Sequence, residues 1–275
     1  NGALPIKSAQ TMRRLLSYSS NFDCLISNRP IESSLSINTA AHESDFSLRL
    51  GLPSSPSVSE RIIVERDIAL AELTGGKLLI DLISASESLI AIKQAKLKYS
   101  NISCSVSINH LSLNEKDIGD YRTFAKLDPP LREESDRLGL LNGINDGTID
   151  VIVSSHDPRP AGEKRLPYSQ AASGAIGLET LLAAGLSLVA DKQLNLMNFL
   201  ATLTCNPASL LGLKSGRIKK SAPADLIIFD PNAPWVCKGK SLLSKSKNTP
   251  FDGRLMTGRN IKTICKGKLV FDSSN

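Results

Sequence analysis

The sequence predicts an α/β protein built on parallel strand–helix units. Three observations predict it. Short apolar strands alternate with longer apolar-periodic helices from residue 8 to about residue 213, the spacing of parallel βα units. The segment Val151-Ile-Val-Ser-Ser-His-Asp-Pro-Arg-Pro160 reads as a buried strand running into a polar loop, the place where parallel α/β folds put chemistry. After Gly216 the pattern changes to short β runs separated by Gly-containing turns, which suggests a small β appendage.

Each element has its own signal. Ser8 can cap a helix over residues 9–19, and residues 23–28 form a short apolar strand with a polar end. Residues 57–74 form a long helix, opened by Ser57-Val-Ser-Glu60 in the spacing of a capping box and closed by Gly75-Gly76. Residues 77–84 are a strand, 86–98 a helix and 102–109 a strand. A helix over 132–146 precedes a fourth strand over 147–155, and two helices fill 177–213. The expected β runs are 216–219, 224–230 and 261–271, and residues 236–250 read as a mobile loop. The expected division is a βα portion over 1–213, with four βα units, and a small β portion over 214–275.

Of the 275 residues, 41% are hydrophobic and 22% charged, enough apolar material for a sizeable core. The net charge of +6 comes from scattered Lys and Arg, densest over residues 238–247. With only 4% aromatic residues and no stacking motif, that run reads as a solvated basic loop and no nucleic-acid partner is expected. Five widely spaced cysteines without a C-x-x-C pair argue against a disulfide framework and for a reducing cytoplasm. No apolar run reaches membrane-spanning length. The opening Asn1-Gly2 is a turn pair, and the start looks like the middle of a longer chain.

Several stretches together resemble the dihydroorotases, zinc-dependent cyclic amidohydrolases of pyrimidine biosynthesis. They are Leu73-Thr-Gly-Gly76, Gly119-Asp-Tyr-Arg-Thr-Phe-Ala-Lys-Leu127, Pro129-Pro-Leu-Arg132, Asn145-Asp-Gly-Thr-Ile-Asp150, Gly177-Leu-Glu-Thr180, Thr204-Cys-Asn-Pro-Ala208 and Ala224-Asp-Leu226. The resemblance covers nearly the whole chain. Four βα units alone also suit a small open sheet; the resemblance implies the C-terminal half of a (β/α)8 TIM-type barrel plus part of a small C-terminal β-sandwich.

The chemistry departs from that pattern. The family's His-x-His zinc pair is absent, and its bridging carboxylate would fall at or just before Asn1. Two later His ligands fall at Asn28 and Leu82, neither of which suits zinc. The catalytic Asp falls at Ser155, whose hydroxyl is no general base at neutral pH without strong activation. Two substrate-binding positions are Asp128 and Arg159, where the family carries Asn and His; Ile108-Asn109 replaces a Pro-His, although His110 survives. The resemblance therefore implies a non-catalytic member that supports assembly of aspartate carbamoyltransferase, with no metal expected and homo-oligomer formation left open. The rival readings are an active zinc-dependent dihydroorotase, closing carbamoyl-aspartate to dihydroorotate with upstream residues missing, and a truncated fragment without function.

His156 and Asp157 could form an alternative site; strand alternation puts Ser155 and Asp157 on one face and His156 on the other. The bland reading makes Asp157 a turn cap before Pro158. His42 lies in a polar stretch and reads as solvent-exposed, whereas His110 reads as a core or turn histidine. Glu133 and Glu134 suit a helix start. Arg132 and Lys126 could bind an anion or make local salt bridges, and Trp235 reads as a packing anchor.

Overall fold

The computed structural model describes residues 5–273, so the Asn1-Gly2 turn lies outside the described residues. The order is α1 (Ala9–Ser20), β1 (Leu25–Asn28), β2 (Ala41–His42), α2 (Asp45–Arg49), β3 (Ser54–Ser55), α3 (Val58–Thr74), β4 (Lys77–Ile83), α4 (Ser86–Lys96), β5 (Ile102–Ser107), α5 (Ile108–Ser112), α6 (Glu134–Asn145), β6 (Val151–Val153), α7 (Ala161–Lys164), α8 (Leu181–Ala190), α9 (Leu196–Leu203), α10 (Cys205–Leu210), β7 (Leu226–Val236), β8 (Leu255–Cys265) and β9 (Lys268–Asp272).

The expected parallel sheet is present, in the order β1-β4-β5-β6. Its register pairs Leu78 with Ile102, Ile80 with Cys104 and Val106 with Ile152. These side chains share one face, are at most 3% exposed, and form the core beneath α3, α4 and α6. The other face is more polar, with Ser27, Leu79, Ser103, Ser105 and Val153. Asp81 accepts a hydrogen bond from Ser105 Oγ there at 2.5 Å.

The antiparallel sheet β7-β8-β9 follows. The run expected over 261–271 is the end of β8 and all of β9, joined at Lys266-Gly267. Both turn residues have positive φ (51° and 77°), the geometry of a two-residue hairpin loop that matches strand twist. Residues 216–219 form no strand. Residues 177–213 hold three helices instead of two, because Thr204 breaks the run with φ −126° and ψ −86°. Strand β5 stops at Ser107, and Ser107 caps α5 by accepting from Asn109 N at 3.1 Å.

Residues 236–250 are held rather than loose. Gly239 N donates to Asp252 Oδ1, Leu243 N and Ser244 N donate to Glu179, and Asn248 and Thr249 are buried. The capping box expected at Ser57 is also absent: Ser57 makes no side-chain cap, and Glu60 turns into the core instead.

Candidate functional site

The C-terminal ends of β1, β4, β5 and β6 meet at one end of the parallel sheet, and the sequence-nominated positions lie there. Asn28, the last residue of β1, pairs in register with Ile80. It therefore faces the helix layer, 1% exposed. Its Nδ2 donates to Asp67 Oδ2 in α3 at 2.6 Å, and its Oδ1 accepts from Ile6 N at 3.1 Å. Asp67 is nearly enclosed; burial raises its pKa, against the opposing effects of Asn28 and Arg66.

Leu82 sits where the β4–β5 register shifts between Ile80 and Ile83, with φ +59°. Left-handed backbone is uncommon for a bulky residue and costs energy. Ser155 lies two residues beyond β6, also left-handed at φ +47°. The expected alternation over 155–157 is thus lost: the strand has ended, and the chain bends at Ser155. His156 forms an isolated parallel bridge to Ala175, and its Nδ1 accepts from Gly177 N at 3.2 Å and Leu178 N at 3.4 Å. Asp157 binds Arg159 Nη2 at 2.7 Å and packs against Gly174, where a Cβ would lie 2.4 Å from Asp157 Oδ2. Only glycine fits there, at φ +126°. His156 and Asp157 thus serve the loop and each other's neighbours, and they do not form a hydrogen-bonded acid–base pair.

Asp128 does not present a lone negative charge. Arg29, directly after Asn28, reaches across the mouth to place Nη2 2.6 Å from Asp128 Oδ2. Sequence reasoning missed Arg29, because nothing in the pattern at residue 29 signals a partner ninety-nine positions away.

Behind the mouth lies a buried polar network. Glu60 is 2% exposed and accepts from Ser84 N and Oγ, Ala85 N and Ser88 Oγ. Burial raises its pKa, and Arg132 and these donors oppose the rise. Arg132 donates from Nε to Ser84 Oγ at 3.0 Å, and its Nη1 is 3.0 Å from His42 Nδ1. His42 is therefore buried, 6% exposed, and not on the surface as its polar neighbours suggest. Desolvation and then the Arg132 charge push its pKa down to about 4. His110 is a core histidine with Nε2 at 3.1 Å from Pro129 O; the same two causes push it down to about 4.

The other nominated groups are structural. Glu134 pairs with Arg137 at 2.6 Å and is held down to about 2, chiefly by that bond. Glu133 stands at the α6 N-cap position. Lys126 donates to Ser169 O at 2.9 Å. Trp235 donates Nε1–H to Gly258 O at 3.0 Å and packs against the core.

These residues do not fit a zinc ion. Asn28 is committed to Asp67 and the backbone, Leu82 has no donor atom, and Ser155 offers only a hydroxyl. Among the described residues no group of three or more His, Cys, Asp or Glu side chains is gathered to hold a metal. No helix among them is long and apolar enough to cross a membrane.

The Amidohydrolase family profile matches residues 43–270. The chain is 41% identical over 269 residues to the dihydroorotase of Ehrlichia canis, covering 98% of this chain and 60% of that protein. It is 37% identical over 267 residues to the dihydroorotase of Desulforapulum autotrophicum, covering 97% and 62%. The chain thus spans about 60% of the length of the curated relatives it matches. Among solved structures, the L-hydantoinase (dihydropyrimidinase) of Arthrobacter aurescens superposes with a TM-score of 0.89 at 22% identity, over 98% of this chain and 62% of that one. The dihydropyrimidinase of Brevibacillus agri gives 0.88 at 20%, over 100% and 62%. These two likenesses are of fold.

Proposed function

Because the chain belongs to the amidohydrolase family, we propose that it is a cytoplasmic dihydroorotase-type protein of pyrimidine biosynthesis whose own strand-end residues do not support hydrolysis. Its role in this reading is structural: it supports assembly of aspartate carbamoyltransferase. The observation that carries the reading is the joint state of three positions. Asn28 is turned into the helix layer, while Leu82 and Ser155 keep left-handed backbones without ligand or base side chains. Closing or opening a cyclic amide needs an activated water and a polarised carbonyl, and these residues supply neither. The four parallel strands are read as the C-terminal half of a barrel, and β7-β8-β9 as part of a sandwich.

The test is co-purification. The full-length protein, expressed with the carbamoyltransferase of its own organism, should elute as a stable complex and raise the yield of assembled enzyme. Separate elution with unchanged transferase assembly would contradict the reading.

A second reading, an active zinc-dependent dihydroorotase, is favoured by the 41% identity to a relative of that name. It requires a metal held by residues other than Asn28, Leu82 and Ser155.

A further inference from the structure

We infer that a cavity beside the strand-end mouth binds a small carboxylate bearing hydroxyl or amine groups, anchored on Arg132. The inference is independent of whether the chain is a hydrolase. The cavity has a volume of about 300 Å³ and lies between the segment after β1, the start of α3 and the turn that carries Asp128 and Arg132. That volume is at the lower end of small-molecule sites.

Arg132 is 5% exposed and lines it. Two of its nitrogens face neutral partners, Ser84 Oγ and His42 Nδ1. Among the described residues its Nη2 has only an ion pair with Glu60 Oε2 at 3.8 Å, beyond hydrogen-bond reach. Glu60 is already engaged by Ser84, Ala85 and Ser88. A nearly buried guanidinium thus keeps a donor toward the cavity, and its planar fork suits a carboxylate.

The wall supplies further groups. Ser33, Ser36, Ser55, Ser59 and Ser173 line the cavity, and none of their hydroxyls has a hydrogen-bond partner among the described residues. Ser55 and Ser59 are each 3% exposed, and their hydroxyls can pair with a ligand or water in the cavity. Asp128 and Glu60 also line the space. Glu60 Oε2 already faces the guanidinium at 3.8 Å, which disfavours a dianionic phosphate and favours a singly charged acid. Asp128 Oδ2 is held by Arg29, which leaves Oδ1 to accept from a hydroxyl or ammonium group of the ligand.

The experiment titrates L-lactate and L-serine, with inorganic phosphate as comparison, into the full-length protein. It follows saturation transfer and the Arg132 side-chain nitrogen resonances. Binding with Kd on the order of 1 mM and a shift of the Arg132 Nη signals is expected. Ser59→Val and Ser55→Val, which narrow the cavity and leave Arg132 in place, should each weaken binding at least about tenfold, a loss of ~1.4 kcal/mol. No binding, unmoved Arg132 signals, unchanged Kd in the folded variants, or tighter binding of phosphate would each overturn the inference. If a variant fails to fold, the Arg132 signals of the unaltered protein decide.

Discussion

Asn28 Nδ2 donates to Asp67 Oδ2 at 2.6 Å, tying the end of the first sheet strand to the long helix α3. The position that the dihydroorotase resemblance assigns to a ligand is thus part of the sheet–helix interface. Removing the amide leaves a buried carboxylate with, among the described residues, only Arg66 beside it. Asn28→Ala should therefore destabilise the fold by about 1–3 kcal/mol, read from urea unfolding. A loss near zero would mean that the bond is replaced at no cost.

Ser155 has φ +47° and makes no side-chain hydrogen bond among the described residues. Glycine adopts that backbone freely. Ser155→Gly should leave stability unchanged or raise it by up to about 1 kcal/mol, and Ser155→Val should lower it by roughly 1–2 kcal/mol. Chemical denaturation checks both signs. A catalytic serine would show itself differently, through lost activity at unchanged stability.

Acid should weaken the fold through its histidines. His42 and His110 are pushed down to about 4, first by burial and then by the Arg132 charge. The unfolded chain takes up these protons near pH 6.5. Their contribution is present above that pH and is lost as the pH falls through about 4. Glu60 and Asp67 have the opposite sign: burial raises them, so their contribution is present at low pH and lost as the pH rises through their folded values. His42→Gln isolates one histidine. It should flatten the stability profile between pH 6.5 and 4 by up to roughly 3 kcal/mol. An unaltered slope would contradict the burial of His42.

Asn248 fastens the C-terminal loop to the mouth. Its Nδ2 donates to Asp157 O and Gly174 O, both at 3.1 Å, and its Oδ1 accepts from Arg159 N at 3.3 Å. Asn248→Ala leaves these groups unpaired and should cost about 2–3 kcal/mol. Faster amide exchange at Asp157, Arg159 and residues 239–249 should accompany it. Exchange confined to residue 248 itself would contradict the fastening.

The layout of the βα units was legible because apolar periodicity and turn residues are local. Helix α3 and strands β4 and β5 lie close to where periodicity puts them, and Lys266-Gly267 is a local turn signal. The misreadings have tertiary causes. His42 sits among polar neighbours, yet Arg132, ninety positions away, draws it into the interior. Glu60 has the spacing of a helix cap but serves Ser84 and Ser88. The partner of Asp128 is Arg29, across the mouth. None of these pairings leaves a trace at the spacing of a single element. The residues after 153 escaped strand alternation because the backbone turns left-handed at Ser155.

In the proposed function the strand-end residues Asn28, Leu82 and Ser155 hold no hydrolytic zinc centre. The most direct measurement is zinc content and dihydroorotate turnover on one sample of the purified full-length protein. A well-folded sample should carry sub-stoichiometric zinc and show no turnover in either direction. Stoichiometric zinc with turnover would contradict the proposed function, and would mean that a centre is built from residues other than Asn28, Leu82 and Ser155.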